Sequence, residues 1–506
     1  MNRIELWSTL LVVAPLVGAM LSLIGGRRSI LAGLALGSAG SLTGAGGAWF
    51  TVHTDGVVRH LLGGWGRPLG IELYVDGLSV VFLSLTAVIA TAVSVYSSVY
   101  FGAIAPPGGG DAPGARGARY FAPLSLFLWA ALNGVFLSGD LFNLYVMLEI
   151  VGLSATALVT LAVTAKATEA GMRYLLVSLS GSMLFLLGVA ILYMGHGTLS
   201  LEGIAALRPA GPSAAAALAI MTVGLAAKTA LFPLHAWLPP AHAAAPAPAS
   251  AILSALVVKA SFYVIVRLWL FVYGLTLPDT GAEQAFLLLG ALGAAAIVWG
   301  SVLALRQVSL KRLIAYSTVA QLGYLFVMFP LLTRPGQDAP GGAWSLDAWS
   351  GGLYHALSHG LAKAAMFLAA GNMTYAVADD AIESISGVAR RLPMSLLAFG
   401  LAGLSLAGVP PSGGFLAKWL LLGAALERGQ WVWVAVIAIG GLLTVAYVLK
   451  VARQAFEAPE HSETFRSVPR RMEWTALTLA LLAVLLGVRA VEILELLLVG
   501  GTGPWS

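Results

Sequence analysis

Cysteine is absent from this sequence, which excludes disulfides, thiol chemistry and iron–sulfur clusters held by cysteine. Charge is scarce: 10% of the residues are Asp, Glu, Lys or Arg, against 59% hydrophobic. A soluble chain of 506 residues cannot hide that much apolar surface. No phosphate-binding loop is present, so ATP hydrolysis by this chain does not drive it. No Ser–His–Asp constellation is recognisable, and no ligand set for a cofactor, so the expected cofactors are none. The formal charge of +5 comes from dispersed cations. That excludes the footprint of a nucleic-acid partner.

Apolar runs of about twenty residues recur along the whole chain, the length of a membrane-crossing helix. They are about twice the length of a barrel strand. The expected fold class is an all-α polytopic membrane protein, with the lipid bilayer as its surroundings. Fourteen spans are expected, roughly at 5–24, 30–52, 77–101, 119–137, 140–163, 171–194, 213–233, 247–273, 285–305, 309–331, 352–376, 394–427, 431–455 and 472–497. The first follows a lone Arg3 and reads as a retained helix, not a cleaved leader. The twelfth is too long for one straight pass and carries Gly408, Pro410, Pro411, Gly413 and Gly414 in its middle. The seventh runs into PLHAWLPPAH at 233–242. Both are expected to be broken helices, tolerated only where the freed backbone faces protein or a wet cavity.

The longer connections are 53–76, 102–118, 332–351 and 456–471. The second, GAIAPPGGGDAPGARGA, reads as a flexible linker. None is long enough for a soluble domain, so residues 1–506 form one membrane domain. Lysine and arginine give an orientation. Odd-numbered loops hold sixteen of them, among them Arg27, Arg116, Lys311 and Arg390; the other side holds seven, Arg3, Arg59, Arg67, Arg208, Arg267, Arg334 and Arg428. The odd loops are therefore expected to be cytoplasmic and both termini outside, in the cell membrane.

Seven lysines occur in all, and four fall well inside spans: Lys228, Lys259, Lys363 and Lys418. Each mid-membrane charge costs about 2.5–3.5 kcal/mol on insertion scales. Such lysines must be paired and hydrated, or neutral part of the time, and both conditions suit a proton relay. Glu149 is the one carboxylate well inside spans five to twelve. A buried Glu beside a buried Lys can alternate between an ion pair and a neutral pair. In YHALSHGLAK, residues 354–363, His355, His359 and Lys363 are spaced by four. They line one helix stripe at about 6 Å per step. Imidazole accepts a proton on one nitrogen and releases it from the other, so the stripe reads as a proton wire, with hydroxyls from Tyr354 and Ser358. His235 and His242 fit a solvated loop as well as a relay. A metal site at 355 and 359 lacks a third ligand nearby.

Five stretches carry a resemblance: DLFNLYVMLE at 140–149, AAKTALFPLHAWLPPAH at 226–242, SLKRLIAYSTVAQLGY at 309–324, YHALSHGLAKAAMF at 354–367 and LSLAGVPPSGGFLAKW at 404–419. In this order they resemble the antiporter-like subunit superfamily. It includes the D-type chain of Mrp sodium/proton antiporters and the proton-pumping subunits of respiratory complex I and of membrane-bound energy-converting hydrogenases. The resemblance implies fourteen helices with two inverted five-helix repeats, 119–273 and 285–455, and broken helices seven and twelve. It implies a pairing of Glu149 with Lys228, a central relay lysine in Lys259, a connection through His355, His359 and Lys363, and a terminal gate in Lys418. A lysine at that last position fits a D-like or N-like branch. The chain ends soon after the fourteenth span, without the lateral helix of the L-type member or the extra membrane region of the A-type Mrp member.

The leading expectation is a proton-translocating subunit of a multisubunit monovalent cation (Na⁺)/proton antiporter, with other membrane subunits as partners. The alternative is the pumping subunit of a complex I-like NADH:quinone oxidoreductase or an energy-converting hydrogenase, that is, part of a redox-driven translocase. A non-pumping scaffold subunit and a carrier for an organic solute are the remaining readings. A polar axis spread over so many spans disfavours the carrier.

Overall fold

A computed structural model describes residues 3–65, 70–104, 113–273, 279–332, 345–458 and 465–500. The centre of the 102–118 linker, most of the 332–351 connection, and Arg67 and Arg334 of the orientation count lie outside the described residues. Among the described residues, eleven helices are long and apolar enough to cross a membrane. The chain is a multi-pass membrane protein. Three expected spans are not among the eleven. Leu346–Val377 carries both stripe histidines and a lysine, Pro393–Ala407 and Gly413–Glu427 are the halves of a broken pass, and Arg470–Leu485 is short.

That short helix corrects one expectation. The run 472–497 is not one helix: it stops at Leu485 and resumes as Val491–Leu498. Gly487 lies against the broken twelfth span, where an added Cβ would sit 2.0 Å from the Pro411 carbonyl oxygen. A second addition is a small antiparallel sheet in the 53–76 connection, the second when connections are numbered after the span they follow. Val58–Leu61 pairs with Glu72–Val75, Val58 opposite Val75 and Leu61 opposite Glu72.

The connections sort into two sets. Bridges Leu73–Ser138 and Asp140–Ser200 join the second, fourth and sixth. The bridge Ser309–Ala381 and the bond from Gly387 N to Glu457 O (2.8 Å) join the ninth, eleventh and thirteenth. Lys311 Nζ donates to Ala245 O (2.5 Å), adding the seventh. Among the described residues, the second, fourth and sixth connections thus share one face, here called the even face, and the seventh, ninth, eleventh and thirteenth share the other.

The eighth span, Ala247–Val272, is buried along its whole apolar stretch, and the tenth, Leu310–Leu331, nearly so. A helix that is apolar all round belongs in the interior. With Leu346–Val377 these two form the centre of the molecule. The two N-terminal spans, the sixth and the thirteenth are less than half buried over their apolar stretches, as lipid-facing helices are.

Candidate functional site: a buried row of titratable side chains

The seventh span is the helix Gly211–Thr229, a break, and the short helix Leu238–Ala244. The break begins at Ala230, which takes a left-handed conformation with φ of 60°. Its freed carbonyls find donors within the protein. Leu231 N reaches Ala226 O (3.0 Å), and the indole Nε1 of Trp237 donates to Ala227 O (2.9 Å). Lys228 sits one residue inside this end and is 7% exposed. Its ammonium donates to Ser178 Oγ (2.9 Å) and to Leu148 O (3.3 Å). Glu149 Oε1 lies 3.7 Å away and accepts no hydrogen bond. The structure therefore brings the expected pair together loosely, with neutral oxygens holding the lysine and the carboxylate alongside.

Lys259 is fully buried in the eighth span. The helix there contains a five-residue π-helical turn, Leu253–Val257. Such turns displace the regular backbone bonding, and Nζ donates to Ala255 O (2.7 Å) and Ser254 O (3.3 Å) within it. From Ser254 a hydrogen-bonded path crosses to the tenth and eleventh spans. Ser254 Oγ meets Thr318 Oγ1 at 2.8 Å, Thr318 Oγ1 donates to Ile314 O (3.0 Å), and that carbonyl also accepts from Lys363 Nζ (3.1 Å). Lys363 donates to Ser317 Oγ as well.

On the eleventh span the imidazoles of His355 and His359 lie near-parallel, 14° apart, with centroids at 5.9 Å. Helical spacing by four dictates such a step. His355 Nε2 is 3.1 Å from Gln321 O. A carbonyl only accepts, so Nε2 carries the proton and Nδ1, which has no partner, is the free acceptor. Neither ring nitrogen of His359 has a protein partner, although the residue is fully buried. His359 lies in electrostatic range of Lys259 and Lys363, and His355 in range of Lys418 and Lys259.

The row ends at the second break. Pro393–Ala407 stops at Gly408 with φ of +88°, and Gly413–Glu427 starts after Ser412, whose hydroxyl accepts from Phe415 N (3.2 Å). Lys418 reaches back across the break and donates to Leu406 O (2.7 Å) and Ala407 O (3.2 Å). An ammonium at a helix C-terminus meets the negative end of the helix dipole. Its Nζ also lies 4.3 Å from the centroid of the Tyr324 ring, which is 5.1 Å from His355. Tyr324 thus stands between the stripe and Lys418. Lys228 and Lys418 both occupy the half-helix that runs to the even-loop face.

Some expectations need correction. The Tyr354 hydroxyl donates to Leu486 O of the C-terminal segment, away from the stripe, and Ser358 Oγ pairs with Ser405 Oγ at 3.0 Å. His242 is no solvated loop residue. It is fully buried, both its ring nitrogens lack partners, and it lies in electrostatic range of Lys363, Lys311 and Lys259. Arg267 is no loop cation: it is 1% exposed and paired with Asp76. Ser254, Thr318 and Tyr324 join the row although nothing in their residue type announces it. On the even face, outside the spans, burial pushes the Asp140 carboxyl up, opposed by the amides of Asn143 and Phe142 and reinforced by Glu72.

Comparison with known proteins adds three relatives. A family profile described as "NADH:quinone oxidoreductase/Mrp antiporter, TM" matches residues 138–444. The N-type chain of the NADH-quinone oxidoreductase of Desulforudis audaxviator is 36% identical, over 79% of this chain and 75% of that protein. The D-type chain of the Na⁺/H⁺ antiporter of Alkalihalophilus pseudofirmus is 29% identical, over 80% of this chain and 77% of its own. A chain in the solved Mrp complex of Dietzia sp. DQ12-45-1b superposes with a TM-score of 0.85 at 24% identity, covering 100% of this chain and 97% of that one. At that identity the likeness establishes the fold.

Proposed function

Because the chain belongs to the family of transmembrane subunits shared by NADH:quinone oxidoreductases and Mrp antiporters, we propose that it is the proton-translocating subunit of a multisubunit monovalent cation (Na⁺)/proton antiporter. The observation that carries this reading is the row itself. Glu149, Lys228, Lys259, Lys363, His359, His355 and Lys418 all lie inside spans five, seven, eight, eleven and twelve, six of them buried and Glu149 half-buried. A stability argument alone does not account for seven such groups, since each is costly in the membrane interior. The proposed route starts near the broken seventh helix, passes Lys228, Lys259 and the 355/359/363 stripe, and leaves past Lys418. The loose Glu149–Lys228 pair is the switch: it alternates between charged and neutral forms as its neighbours load. Residues 119–273 and 285–455 are proposed as the inverted repeats, with the odd loops cytoplasmic, both termini outside and other membrane subunits alongside. The row is rich in nitrogen and poor in oxygen ligands, which favours H⁺ over dehydrated Na⁺ in this chain.

The test is coupled transport by the assembled complex in sealed vesicles. Glu149→Ala and Lys228→Ala are each expected to abolish cation-coupled proton movement while the complex still assembles. Full transport by an assembled variant would refute the route.

A second reading has its own support, the 36% identity to an N-type chain over 79% of this one. There the same row would answer to electron transfer in a redox complex. The identity of the partner subunits separates the two.

A further inference from the structure

The eighth span carries a stripe that leads away from the row. Lys259, Tyr263 and Arg267 follow one another by four, towards the even-loop face. Arg267 is held at both terminal nitrogens, while its Nε has no partner. Nη1 donates to Asp76 Oδ2 (2.5 Å), and Nη2 donates to Asp76 Oδ1 (2.6 Å), Ser79 Oγ (2.9 Å) and the Tyr263 hydroxyl (2.9 Å). Its guanidinium also lies over the rings of Phe271 (4.5 Å), Tyr263 (4.9 Å) and Tyr74 (5.3 Å). Beyond it opens a cavity of about 390 Å³, lined by Arg59, Glu72, Tyr74, Glu202, Arg208 and Arg267 among others. These come from the second and sixth connections and the end of the eighth span, so the cavity belongs to the even face.

Eight steps along the helix, a rise of about 12 Å, separate Arg267 from Lys259 in the backbone. Water in the cavity would need only Tyr263 as a stepping stone to reach the lysine. Two features oppose that. A guanidinium does not release its proton, so Arg267 is a fixed cation across the way, and a fixed cation in a narrow path repels protons. Tyr263 is also pinned: its hydroxyl donates to Phe136 O (3.1 Å) and accepts from Arg267. A hydroxyl passes a proton only if it can turn, and this one is held at both ends.

We propose that the Asp76–Arg267 pair is a plug that closes the even-loop face of the first half of the molecule to protons. A proton that reaches Lys259 from Lys228 then goes onward only along the 355/359/363 stripe. The inference rests on the proposed route through Lys259, and its readout is separate from turnover. The measurement is decay of an imposed pH gradient across vesicles holding the assembled complex, without Na⁺. Arg267→Gln is expected to speed the decay several-fold, and Arg267→Gln combined with Lys259→Met to restore tightness. Arg267→Lys keeps a cation beside Asp76 but can give up its proton, so it is expected to leak as well; it serves if the glutamine variant fails to assemble. An assembled Arg267→Lys complex as tight as the wild type overturns the plug. So does a leak through Arg267→Gln that Lys259→Met leaves unchanged. Failure of the route itself shows separately, as coupled transport retained by Lys228→Ala.

Discussion

Lys418 does three things at once: it binds two carbonyls at a helix end, faces the Tyr324 ring, and terminates the buried row. Arginine would keep the charge and the donors yet could not be deprotonated. Lys418→Arg is therefore expected to assemble normally and lose coupled proton transport, whereas a scaffold subunit would tolerate it. Tyr324 allows a finer test. Tyr324→Phe keeps the ring under the ammonium, while Tyr324→Leu removes a cation–π contact worth about 1–2 kcal/mol. Transport by the leucine variant should fall well below that of the phenylalanine variant at equal expression. The lysines, the stripe and Glu149 were legible because a charge in an apolar run stands out. Ser254, Thr318 and Tyr324 were not, because hydroxyls are common in such helices and only the fold shows which ones face the row. His242 was obscured by its Pro-rich surroundings, which read as a loop although the segment is a buried helix.

At the scale of elements, the two breaks were legible in Pro and Gly, and their bonding was not. The indole of Trp237 satisfies Ala227 O and stacks on Tyr174 at 4.2 Å. Trp237→Phe takes away one of that carbonyl's two donors and leaves only Ala230 N (3.2 Å), a net loss of about 0.5–1.5 kcal/mol. The expected outcome is a lower unfolding temperature of the purified complex. At the second break an added Cβ on Gly414 would lie 1.8 Å from Ser405 O, closer than any packing allows. Gly414→Ala must part the two half-helices and is expected to prevent accumulation of the folded subunit. The π-helical turn under Lys259 had no sequence signal, since LSALV reads as ordinary helix. The split of the last apolar run also escaped; there Gly487 packs against Pro411 of another span, a contact only the fold shows.

For the whole molecule, alternate connections among the described residues share a face, so their sorting into two sets followed from the order of the spans. Arg267 reads from the sequence as a loop cation because its partner, Asp76, lies 191 residues away in the chain. Partner identity belongs to this scale too. Purification in mild detergent through a tag on this chain, followed by mass spectrometry, is expected to recover small hydrophobic subunits and a larger A-type one without metalloproteins. Iron–sulfur or nickel–iron subunits in their place would transfer the row to a redox complex.

The distribution of charge along the row has a consequence for how the two faces communicate. Four lysines share one carboxylate, and Lys259, Lys363 and Lys418 hydrogen-bond only to carbonyl and hydroxyl oxygens. Among the described residues nothing close by cancels a proton taken up there. Two unit charges 10 Å apart repel by about 1.7 kcal/mol at an effective dielectric constant of 20. On the proposed route the row would behave as a small capacitor: each proton loaded would make the next harder to add. Filling it from one side would favour discharge at the other, so on that route part of the energy linking the two faces would be held as voltage inside the protein, with no large change of shape required.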